Sequence, residues 1–142
     1  MKNQLRVWGT LLAMTAVSVQ AECRAPSQLE NTEILYSVMA TVNSPASDYQ
    51  LGTGLLYTGQ YGNDNRFRYV EAEEPTSPNV GEYQYTSLGN VGIVSGHFIT
   101  SQQDRLPFTI TLMCRTDASG IFNYSVRNNE LAPATMGRYL LQ

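Results

Sequence analysis

Apolar residues recur at every second position in several short runs of this chain, and turn-forming residues separate the runs. In ILYSVMATV, 34–42, the residues Ile34, Tyr36, Val38, Ala40 and Val42 share one parity, which predicts a strand with one apolar face. GTGLLYTG, 52–59, is a second apolar run bracketed by glycines. RFRYVEA, 66–72, alternates cleanly, with Phe67 and Tyr69 opposite Arg66 and Arg68. SPASD at 44–48, YGNDN at 61–65 and EEPTSPN at 73–79 interrupt the runs with the residues that favour turns and loops.

Residues 81–98, GEYQYTSLGNVGIVSGHF, carry the clearest pattern. Tyr83 and Tyr85 fall on one face and Gln84 and Thr86 on the other. Leu88-Gly89-Asn90 is placed to turn the chain, because Gly and Asn tolerate positive φ. VGIVSGHFIT, 91–100, returns as the partner strand, and SQQD, 101–104, turns again. PFTITLMC, 107–114, sets Phe108, Ile110, Leu112 and Cys114 against Thr109, Thr111 and Met113. After a TDASG turn at 116–120, IFNYSVR groups Phe122, Tyr124 and Val126, and GRYLLQ at the end reads as a short closing strand. No segment sustains the 3.6-residue period of a helix. The chain therefore reads as one all-β domain of roughly seven to nine strands. Its meander closes most simply into an antiparallel up-and-down barrel, with a sandwich as the alternative.

The motifs GEYQYT, LGNVGIVSG, FTITLMC and ASGIFNYS, preceded by LENTEILYSVMATV, follow one another in a recognisable order. That order resembles the small lipocalin-like (calycin-type) barrels of exported bacterial proteins. The resemblance implies a barrel and export; it implies no activity, since one fold hosts many functions. The Gly-x-Trp signature of lipocalins is absent.

The first 21 residues change the picture of where the chain works. Lys2 and Arg6 precede a mostly apolar stretch from Trp8 to Val19, and Val19-Gln20-Ala21 offers a signal-peptidase site. The apolar stretch is shorter than the roughly 20 residues of a membrane-spanning helix. Residues 1–21 are thus expected to be a signal peptide and 22–142 the exported domain, periplasmic or secreted. Glu22, directly before Cys23, argues against lipidation at that cysteine. The mature chain keeps seven arginines, no lysine and all twelve acids, a formal charge of −5. Such a balance disfavours nucleic acid and anionic membranes, which call for a positive field.

Cys23 and Cys114 are the only cysteines. An oxidising destination and an even count predict one disulfide between them. The alternative, a metal or redox pair, lacks ligand spacing and a Cys-x-x-Cys motif. Nothing in the sequence calls for a metal or another cofactor.

Groups fit for catalysis are few. His97 is the single histidine, on the face opposite Phe98, with no nucleophile elbow around any serine. It reads as a structural or exposed histidine. Glu71, Glu73 and Glu74 read as a solvated strand end, within reach of Arg66 and Arg68 across a loop. Asn123-Tyr124-Ser125 fits a glycosylation sequon of a kind that chance often produces.

The expectation is an exported, non-catalytic binding barrel. Tyr69, Tyr83, Tyr85, Arg66 and Arg68 are its candidate binding residues, for a small apolar ligand or another exported macromolecule. The alternative is a lipocalin-like barrel enzyme, a lyase or isomerase, using Tyr, Arg or carboxylate groups in its lumen. An outer-membrane barrel ranks last, because its strands need about 9–11 residues and an outward apolar band. Interior volume separates the first two readings: a packed lumen leaves the outer surface for function, and a roomy one admits a ligand.

Overall fold

The computed structural model of the chain describes residues 22–42, 51–102, 104–126 and 134–142. The expected signal peptide and the SPASD break lie outside the described residues. Eight strands run in chain order: β1 (Thr32–Val42), β2 (Leu56–Tyr61), β3 (Arg66–Glu71), β4 (Asn79–Leu88), β5 (Val91–Ile99), β6 (Arg105–Thr116), β7 (Ser119–Val126) and β8 (Ala134–Leu141). Each pairs antiparallel with the next, and β8 returns to β1 to close the barrel. Closure removes the free edges that an open sheet of this kind would expose.

Parity decides the interior. Ile34, Tyr36 and Val38 from β1, Phe67 and Tyr69 from β3, and Phe108, Ile110 and Leu112 from β6 are all buried. The Gly89-Asn90 turn joins β4 to β5 with Gly89 at φ +60°. Glycine at the first central position of a two-residue hairpin loop suits the twist of the flanking strands.

Three expectations of detail need correction. In β1 the register shifts between Val38 and Ala40, so Met39 is an extra residue and stands exposed. The bulge reverses parity: Ala40 pairs with outward Met136, and Thr41 turns toward buried Thr135. Ala40 therefore leaves the face it shares by simple alternation with Ile34. The 52–59 run is a strand only from Leu56, because Gly54 at φ +85° turns the residues before it. The closing strand begins at Ala134, ahead of GRYLLQ, since it pairs along most of both β1 and β7.

The interior is filled by rings. Phe67 packs edge-on against Phe98 and Phe108 with centroids 5.3 and 4.8 Å away. Tyr36 meets Phe122 edge-on at 5.0 Å. Each fully buried side chain of this size stabilises the fold by roughly 1.5–3 kcal/mol. Rings fit because glycines face them across the ladder. Gly96 pairs with Phe108 and Gly137 with Phe122. A Cβ on Gly96 would meet the Phe108 ring at 3.0 Å and collide with the Glu82 carbonyl. These glycines mark close approaches inside strands.

One barrel end is covered by residues 22–31. Cys23 bonds to Cys114 with Cα atoms 5.9 Å apart. The Ala25 N–H donates to the Gly89 carbonyl at 3.0 Å, and the Tyr85 hydroxyl to the Pro26 carbonyl at 2.8 Å. Leu29 is 1% exposed, within the core. The disulfide thus pins a strap whose apolar residues complete the core at that end.

Candidate functional site

The five candidate binding residues divide by parity. Tyr69, Tyr83 and Tyr85 point inward; Arg66 and Arg68 point out and are exposed. Tyr69 belongs to a buried group of three. The Tyr61 hydroxyl lies 2.7 Å from that of Tyr36 and 2.6 Å from that of Tyr69. The Tyr36 and Tyr69 rings also meet, with centroids 5.6 Å apart. In this chain Tyr61 can donate to one neighbour and accept from the other, so each phenol has a partner away from water. Burial pushes all three phenols well above their ordinary pKa. They remain neutral and act as core.

Tyr83 and Tyr85 share a face but have separate partners. Tyr83 packs edge-on against Tyr61 at 5.0 Å and donates to the Gly62 carbonyl at 2.9 Å. Tyr85 reaches the strap at Pro26, and a Cβ on Gly92 would strike its ring. Burial pushes the Tyr85 phenol up to about 12. Both tyrosines bury the ring and send the hydroxyl to a backbone carbonyl near the barrel end.

The chemistry open to solvent lies on the outer wall. Arg66 stands opposite Glu82, Glu82 opposite His97, and His97 opposite Pro107. This row crosses β3 to β6. His97 Nε2 is 3.3 Å from Glu82 Oε2, and the two side chains are 20% and 46% exposed. The nitrogen is shielded from solvent, yet the contact falls outside hydrogen-bond alignment. It is an ion pair only while the imidazole is protonated. Arg66 lies 3.8 Å from Asp64 in the preceding turn. That carboxylate, rather than the 71–74 run, is its partner.

A groove of about 700 Å³ runs over this wall, lined by Asp64, Glu82, Gln84, Ser95, His97 and Arg105 among others. A second hollow of about 740 Å³ adjoins it at Asp64 and includes Arg66, Arg68 and Gln60. Gln60 donates to Glu33 at 3.1 Å. The wall from β2 to β6 thus mixes both charge signs with amides, hydroxyls and exposed apolar residues, Val80 and Ile99 of the second hollow among them.

Arg66 and Arg68 border the grooves, whereas the three tyrosines support the wall from behind. Glu82, Gln84, Ser95 and Arg105 are candidates that sequence reasoning misses, and His97, read there as structural or exposed, lines the same groove. Parity places each of them on an outward face, but only the cross-strand register brings them together. Compared with known protein families, curated proteins and solved structures, the chain shows no match.

Proposed function

We propose that this protein is an exported, non-catalytic barrel that binds another exported macromolecule through the outer wall of β3–β6. The observation that carries the reading is the filling of the barrel by aromatic side chains. A filled lumen favours recognition on the outside over capture of a small apolar ligand within. The grooved wall supplies charges of both signs, amides and hydroxyls beside exposed Val80, Ile93 and Ile99, a mixture suited to a macromolecular interface. Export is supported by the disulfide, which belongs in an oxidising compartment. Kinship with the calycin-type exported barrels rests on the ordered motifs together with the eight-stranded closed topology.

Site-specific photo-crosslinking in the native host tests the reading. A photoreactive residue at Gln84 or Ser95 is expected to capture a defined partner in the exported fraction. The same residue at Asn123, on β7 and away from the groove, is expected to capture none. Equal capture from Asn123, or none from the groove positions in a correctly folded protein, would remove the proposal.

A further inference from the structure

A second cleft, of about 340 Å³, opens where β6, β7 and β8 meet, remote in the sheet order from the β3–β5 part of the grooved wall. Arg115 and Arg138 both line it, with Ser119, Ile121 and Tyr139. All of β7 lies between the two arginines in sequence; register unites them. Arg138 stands opposite Ile121, while the shift between Cys114 and Thr116 makes Arg115 the extra residue of a bulge. A bulge re-aims the side chain it carries. Both arginines are exposed, and among the described residues neither has a carboxylate partner.

That pairing runs against the balance of the chain. The expected mature domain has five more acids than arginines, yet here two guanidinium groups share one small cleft with no acid between them. Like charges so placed repel, and an anion entering the cleft relieves the repulsion while accepting charge-assisted hydrogen bonds. The surroundings narrow the choice of anion. Met113 stands opposite Ile121 on one side of the cleft, and Leu140 opposite Ser119 and Leu35 on the other. Met113 and Leu140 are 39% and 43% exposed. The cationic centre therefore lies between two apolar strips. An inorganic anion would use only the centre; a molecule with an apolar body would cover the strips as well.

We infer that this cleft binds the acidic group of an anionic amphiphile, a phosphate, sulfate or carboxylate carried on an apolar body. The site is independent of the partner face on β3–β6, so failure of one leaves the other standing. The test is calorimetric titration of the disulfide-bonded mature protein with decyl phosphate below its micelle concentration. Inorganic phosphate and uncharged decyl maltoside serve as comparisons. Saturable binding of decyl phosphate is expected, much tighter than either comparison and weakening as salt screens the arginines. Arg115→Gln and Arg138→Gln are each expected to weaken it about tenfold, as loss of one charge-assisted contact does. Arg138→Lys, which keeps the charge, should retain part of the affinity. Circular dichroism of each variant checks the fold. Three results overturn the inference: no saturable binding of decyl phosphate, equal binding of inorganic phosphate or decyl maltoside, or binding that both glutamine variants leave unchanged.

Discussion

The inner and outer walls of β3–β5 are built from alternating residues of the same strands, yet they obey different rules. Inside, Tyr69, Tyr83 and Tyr85 place their rings against other side chains and their hydroxyls on protein partners. Outside, Arg66, Gln84 and Ser95 are exposed to solvent, and so are both side chains of the Arg66–Asp64 pair and the Glu82 side of the His97–Glu82 contact. The inner wall is a closed system in which each removal leaves a cavity or an orphaned polar atom. The outer wall is open, and water replaces what a substitution removes. Stability is therefore concentrated on one side of a sheet a single residue thick, and freedom to acquire function on the other.

The broadest way to break this contrast is alkaline pH, which acts on the inner wall. Burial raises the phenols of Tyr36, Tyr61, Tyr69 and Tyr85. In the unfolded chain they ionise near about pH 10. Above that pH the unfolded state sheds protons that the folded state retains, so stability falls as pH rises. Stability is expected to be intact below about pH 10 and to drop steeply through about 12, where Tyr85 ionises. Each tyrosine adds up to about 1.4 kcal/mol per pH unit to that slope. Melting curves across this range, read beside phenolate absorbance, check it; a melting temperature unchanged to pH 12 would refute the buried-phenol account.

Cutting the strap comes next. Cys114→Ser should cost about 2–5 kcal/mol and leave the β circular dichroism spectrum in place, because the strand pattern does not depend on the bond. Non-reducing mass analysis of the wild type should show one Cys23–Cys114 linkage; two titratable thiols would contradict it. Tyr85→Ala removes a ring and its bond to the strap, and denaturant titration should register a loss of about 2–4 kcal/mol. If stability is unchanged and partner binding disappears, the residue belongs to recognition after all.

Gly81→Ala sharpens the comparison with a single added methyl. Its Cβ would collide with the His97 carbonyl and meet the Phe67 ring at 2.7 Å. A cost of about 1–3 kcal/mol is expected, as for other overpacked sites. The smallest effect belongs to the outer wall: Gln84→Ala, from the same hairpin, should cost about 0.5 kcal/mol or less. A Gln84 cost equal to that of Tyr85 would erase the distinction between the walls.

Much of the architecture was legible along the chain because parity is local. Alternation at Phe67 and Tyr69, and at Phe108, Ile110 and Leu112, depends only on which side of a pleat each residue occupies. The Gly89-Asn90 turn was legible for the same reason, since its φ requirement is met by one residue. Bulges at Met39 and Arg115 were not, because an extra residue is visible only against the partner strand. The strand glycines were also opaque. Read as punctuation, Gly81, Gly96 and Gly137 give no hint of the rings above them, which arrive from other strands.

Function divides along the same line. Alternation and turn chemistry set which residues face in and which face out wherever a strand runs without a bulge, where the chain turns, and that two cysteines are at hand to pair. Packing of the described core decided that rings meet inside the barrel, because they fit there only when closure and register bring facing glycines under them. Tertiary structure likewise decided that Arg66, Glu82 and His97 form one row and that Arg115 and Arg138 share one cleft. Those neighbours are set by cross-strand register, a property of pairs of strands that no single strand carries.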